Sequence, residues 1–138
     1  MKILIPLLAG VLCVALGFAA ETRTVRDGVY TKEQATRGAQ VFNDACQNCH
    51  GDTESGGDYE PGVMGDGFVD HWNGKTVADL LRFISSEMPG DNPGALEPDQ
   101  YNDVLAYVLS VNGYPAGNRE LSPQITSLKE IAIVPVKK

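Results

Sequence analysis

The sequence predicts an all-α domain of three main helices. Three observations predict it. Apolar residues recur at helical spacing in three separate stretches, each stretch opens on a helix-start signal, and the chain that follows an N-terminal leader has the length of one compact domain.

The first element is the leader. Met1 and Lys2 precede a run from Ile3 to Ala20 that contains no charged residue. One positive charge, a long apolar stretch and the small residues Ala19 and Ala20 describe an export signal peptide over residues 1–20, which places the mature protein in the periplasm. The run also approaches the roughly 20 residues of a membrane-spanning helix, so an uncleaved anchor is the alternative, and a membrane is expected as a partner only in that case. Cys13 does not suit a lipid anchor, because Leu12 stands where lipoprotein processing needs a small residue, and it leaves with the signal. About 118 of the 138 residues remain. Loss of Lys2 takes the formal net charge from −7 to −8. A surface that acidic disfavours nucleic acid and anionic membranes and favours a protein partner with a basic face.

Residues 21–30 read as a polar lead. Thr31, with Gln34 three residues on, is the signature of a capping box, and the helix it opens should reach about Ala45. Ala35, Ala39, Phe42 and Ala45 recur along it at helical spacing, and Gly38 gives a point where another helix could approach closely. Gly51 to Gly74 is rich in glycine and acids, contains Pro61 and shows no period, which predicts a long irregular loop of the kind that wraps something or carries function. Thr76 and Asp79 open a second helix with Val77, Leu80, Leu81 and Ile84 on one face, ending near Ser86 before Pro89 and Gly90. Pro98 starts the third helix, whose stripe is Tyr101, Val104, Leu105, Val108 and Leu109, and Asn112 with Gly113 closes it. Residues 31–117 thus form the domain, and 118–138, with Ile125, Leu128, Ile131, Ile133 and Val134, read as a strap packed on its surface. The core is lean in aromatic residues, so a large buried prosthetic group would supply missing apolar volume.

Chemistry concentrates at Cys46-Gln47-Asn48-Cys49-His50, a C-x-x-C-H run that reads as c-type haem attachment. Two thiols three residues apart at a helix end can each add to one vinyl group, and the adjacent histidine then sits under the iron. A thioredoxin-like redox pair would want a strand before the motif and a helix after it. A zinc site would need a fourth ligand, and only His71 is available, at unconventional spacing. A Cys46–Cys49 disulfide suits an oxidising compartment but leaves His50 unexplained. One covalent haem c accounts for all five residues.

For the iron's second protein ligand the candidates are Met88, Met64 and His71. Met88 is best placed, because Pro89 ends the second helix and lets an extended segment present the side chain. Its competing reading is a core gap-filler. Met64, among Gly62, Gly65 and Gly67, reads as pocket wall, and His71 beside Trp72 as an exposed or locally bonded side chain. Trp72 and Arg82 could each approach a haem propionate. Methionine opposite histidine favours ferrous iron, and a closed six-coordinate site leaves no place for substrate, so no catalytic residue is expected. Two patterns are set aside: Gly65-Asp66-Gly67 lacks the third glycine and a preceding strand of a nucleotide site, and Asp52, Glu54, Asp58 and Glu60 miss the spacing of a calcium loop.

With these residues the chain resembles the class I cytochromes c from about Thr31 to Tyr114. Gly38 and Phe42 look like the glycine and aromatic of the family's first helix, and Val104 with Tyr107 like the pair on its last. The resemblance implies a cytochrome c fold wrapped around one haem, in which the two helices cross. It also implies that the Pro61 carbonyl accepts the second ring N–H of His50, and that Met88, in Met88-Pro89, is the axial methionine. Met88 to Gly117, and a tail like Asn118 to Ile133, resemble more closely the bacterial cytochromes associated with quinoprotein dehydrogenases. The expectation is an electron carrier between redox proteins, with a dehydrogenase donor and an oxidase or other cytochrome as acceptor. Its alternatives are a cytochrome subunit of a quinoprotein alcohol or sugar dehydrogenase complex, and a haem-based small-molecule sensor.

Overall fold

Thr31 begins the first helix as its composition requires. Its backbone is extended and its hydroxyl accepts the Gln34 N–H at 3.1 Å, capping α1, Lys32–Ala45. The computed structural model describes residues 22–51 and 63–136. The leader over 1–20 and Pro61 therefore lie outside the described residues. The reciprocal half of the capping box at Thr31 does not form, because the Gln34 side chain turns inward and its oxygen accepts the Leu121 N–H at 2.8 Å. Buried amides go where a donor is otherwise unsatisfied, and the tail supplies one.

α1 gives way at Cys46 to a single further turn, α2, Gln47–His50. The stretch expected to be irregular up to Gly74 contains a short helix, α3, Asp66–Trp72, with Phe68 and Trp72 buried. Two aromatic side chains four residues apart bury one stripe of it, which offsets the poor helix propensity of Gly67. α4, Val77–Glu87, opens on a complete capping box between Thr76 and Asp79 and ends one residue beyond the expected Ser86. α5, Pro98–Val111, starts on its proline with Glu97 and Gln100 bonded reciprocally, and buries the whole expected stripe.

α1 and α5 are the principal helix pair. They cross at Gly38, where a methyl group would collide with the backbone carbonyl of Asp103, so only glycine lets the helices come this close. Arg37 then ties the crossing from outside, donating through Nε and one Nη to both Asp103 oxygens at 2.9 Å and to Glu120 at 2.9 Å.

The lead and the tail are part of the core. Val25, Val29 and Tyr30 are buried in the lead that reads as polar, and the tail packs down with Leu121, Leu128, Ile131 and Ile133 buried. β1, Arg23–Thr24, pairs in parallel with β2, Ile131–Ala132, after a further short helix, α6, Ile125–Leu128. Beyond β2 the tail reaches the start of α4, where the Ile133 N–H donates to the Lys75 carbonyl at 2.8 Å and the Gly74 N–H to that of Ile133 at 3.0 Å. The tail thus clasps the N-terminal lead to α4. No helix among the described residues is long and apolar enough to cross a membrane.

Candidate functional site

The motif begins where α1 ends. The Cys46 N–H still bonds the Phe42 carbonyl at 2.8 Å, and the Cys46 carbonyl accepts from the N–H groups of Cys49 and His50 at 3.2 and 3.0 Å. This one turn puts Cys46, Cys49 and His50 at positions i, i+3 and i+4, which share a helix face. Gly51, at φ +63°, then turns the chain away in a conformation that costs glycine little. Phe42 packs behind the motif, its ring 6.3 Å from that of His50 and 5.2 Å from Tyr107 on α5. The α1–α5 crossing is therefore what seats His50.

Two cavities meet at His50. The first, about 330 Å³, is lined by Cys46, Cys49, His50, Met88, Pro89 and Leu96, with Asp44 and Asp91 at its polar parts. The second, about 320 Å³ and mostly apolar, is lined by His50, Val63, Phe68, Trp72, Leu80, Phe83 and Val108. Both cysteines are half-buried and not paired with each other in a disulfide. Burial, with Cys49 adding to it, pushes the Cys46 thiol up to about 11, so this sulfur resists becoming a thiolate. Among the described residues no group of three or more His, Cys, Asp or Glu side chains is placed to hold a metal ion. Two vinyl-reactive sulfurs and an imidazole on one face, next to an apolar cavity, fit an apolar macrocycle joined at one edge.

Met88 caps the C-terminus of α4, its backbone extended and its N–H bonded to the Ile84 carbonyl at 3.2 Å. It lines the cavity that holds both cysteines and His50. Met64 lines neither cavity, although it reads as pocket wall, and Val63 beside it takes that place in the apolar one. His71 is exposed, packs edge-on to Trp72 at 5.0 Å, and stands at the apolar cavity without joining the Met88 side. Trp72 is a buried wall of that cavity, with Phe83 edge-on at 5.6 Å and the Lys75 ammonium 4.8 Å above its ring. Arg82 is spent on Asp79 at 3.3 Å and lines neither cavity.

A family model described as cytochrome c oxidase, cbb3-type, subunit III, matches residues 33–108. The chain belongs to this cytochrome c family. As a member it has an all-α cytochrome c fold and carries one covalently bound haem c, and membership points to electron transfer rather than catalysis. Comparison with curated proteins and with solved structures found no match. The matched span runs through α1, the C-x-x-C-H turn, Met88 and most of α5, so the family's extent coincides with the elements that build the two cavities.

Two residues at this cytochrome site escape sequence reasoning. Asn112, read there as a helix stop, donates to the carbonyls of Val63 at 2.9 Å and Val108 at 2.8 Å and accepts the Gly65 N–H at 3.0 Å, which fastens the cavity wall at Val63 to the end of α5. Tyr101, read as part of an apolar stripe, donates its hydroxyl to the Met88 carbonyl at 2.8 Å. The available signal is that a buried tyrosine hydroxyl has to find a partner.

Proposed function

We propose that the chain is an exported mono-haem cytochrome c that carries single electrons between redox proteins, its haem joined to Cys46 and Cys49 and its iron ligated by His50 and Met88. The observation that carries this reading is the one cavity lined by Cys46, Cys49, His50 and Met88. Bound haem supplies a reversible one-electron couple whose potential follows its axial ligands. His50 donates an imidazole nitrogen from a turn buttressed by Phe42, and in this reading the Pro61 carbonyl orients the ring through its other N–H. Met88 donates a soft thioether, which favours ferrous iron and raises the potential. Were His50 and Met88 both to hold the iron, no position would remain for substrate, and the site would serve electron transfer.

The charge-free run from Ile3 to Ala20 supports a periplasmic location. Net charge −7, with Asp44 and Asp91 beside the cavity, supports partners that present basic faces. The resemblance of Met88 to Gly117 to cytochromes of quinoprotein dehydrogenases supports a dehydrogenase as donor, and an oxidase or second cytochrome is the acceptor. A second reading, a subunit of a larger complex, is favoured by the matched family's description as an oxidase subunit. Co-purification from native membranes and periplasm separates the two.

The test is the optical spectrum of oxidised and reduced protein, in wild type and Met88→Ala. The weak far-red sulfur-to-iron band should be present in the wild type and vanish on substitution, and carbon monoxide should bind the ferrous variant but not the ferrous wild type. A wild type without that band, or one that takes up carbon monoxide readily, refutes the closed carrier and favours a sensor.

A further inference from the structure

We propose that Tyr101 is the positioning residue of the loop that presents Met88, holding it shut against competing ligands through one hydroxyl at the loop's neck. The phenol both donates and accepts: it donates to the Met88 carbonyl at 2.8 Å and accepts the Leu96 N–H at 3.4 Å. Met88 and Leu96 are the two ends of the segment that leaves α4 and returns to α5, and both line the cavity shared with His50. Between them the loop is wound on its own backbone. The Asn92 N–H bonds the Pro89 carbonyl at 2.9 Å, the Ala95 N–H bonds that of Asn92 at 3.2 Å, and the Gly94 N–H adds a longer bond to Met88 at 3.4 Å.

Those bonds shape the loop but do not attach it. Tyr101 does, because it sits in the first turn of α5 with its ring buried, so its hydroxyl is a fixed point against which both ends are held. A methionine sulfur is a weak iron ligand, and its hold depends on how little its backbone wanders. Pinning the carbonyl of the same residue restricts that motion directly. Loss of the hydroxyl removes the better of the two donors to the Met88 carbonyl and leaves Leu96 N–H without its partner, while the ring still fills the core.

The inference rests on Met88 being the axial ligand, so the experiment reads both. Ferric holoprotein is titrated with imidazole in wild type, Tyr101→Phe, Met88→Ala and Tyr30→Phe, following the far-red band and the main haem absorption. Tyr30 is the control, since its buried hydroxyl donates to the Tyr114 carbonyl at 2.6 Å, away from the loop. Tyr101→Phe should keep the far-red band yet bind imidazole about five- to tenfold more tightly, the factor that one net hydrogen bond is worth. Tyr30→Phe should lower stability by a similar factor and leave imidazole affinity at the wild-type value. A wild type with the band and a Tyr101→Phe variant of unchanged affinity overturns the positioning role alone. A wild type without the band overturns the ligation and the positioning role with it. Should Tyr101→Phe not fold, amide exchange at Leu96 in the wild type decides: protection like that of the α5 amides supports the hold, and free exchange refutes it.

Discussion

Gln34 is a buried amide whose oxygen holds the backbone of Leu121, so a residue suited to closing its own helix instead fastens a segment 87 positions away. Replacing it with leucine keeps the volume but leaves a buried N–H unpaired, a loss of about 1–3 kcal/mol. Urea denaturation of Gln34→Leu should show that loss, and unchanged stability would mean that water reaches the Leu121 amide. Cys46, Cys49 and His50 are chemically specific in themselves, and the motif they form is legible because a C-x-x-C-H run has few other uses. Tyr101 and Asn112 are different. Their side chains act through hydrogen bonds to carbonyls of other segments, and nothing in a run of apolar neighbours announces which carbonyl a hydroxyl will meet.

At the scale of elements, the caps and stripes of α1, α4 and α5 are local and were readable, since a helix bonds residues four apart. The α1–α5 crossing makes one substitution severe. Gly38→Ala drives a methyl group into the Asp103 backbone, and separating the helices should cost about 1–3 kcal/mol or more, with His50 displaced through Phe42. A Gly38→Ala protein with wild-type melting temperature and haem spectrum would contradict that crossing. The α4 cap carries a pH dependence. Bonds from the Thr76 backbone N–H and hydroxyl, with help from Arg82 and Lys75, hold the Asp79 carboxyl below its ordinary value of 3.8. A carboxyl lowered on folding stabilises above its unfolded value and stops doing so as pH falls through the folded one. The contribution is therefore complete at neutral pH and fades only below about pH 4. Asp79→Asn should lose a small, largely exposed contribution at pH 7 that shrinks as the pH falls below about 4, and a difference that grows in acid would reverse the assignment.

For the whole molecule, the tail is the segment whose packing reaches furthest. Leu121, Leu128, Ile131 and Ile133 enter the core, and β2 reaches from β1 to the start of α4. Truncation after Gly117 should therefore lower the melting temperature steeply and weaken the far-red band, since α4 leads directly to Met88. A truncated protein as stable as the full chain would show that burial of the tail contributes nothing to stability. The net charge of −7 bears on association: electron transfer to a basic-faced partner should slow as salt rises, and a rate indifferent to ionic strength would remove the electrostatic part of the partner assignment. By itself the sequence determined the helix class, the three long helices and the haem-attachment motif, because capping, amphipathic spacing and contiguous ligands are all relations within a few residues. Only the tertiary structure decided that α3 forms in a glycine-rich stretch, that the lead and the tail share the core, and that Tyr101 and Asn112 hydrogen-bond the carbonyls of Met88 and Val63. Each of those depends on where distant segments return, and burial of an apolar face or satisfaction of a polar group is defined only once the partner has arrived.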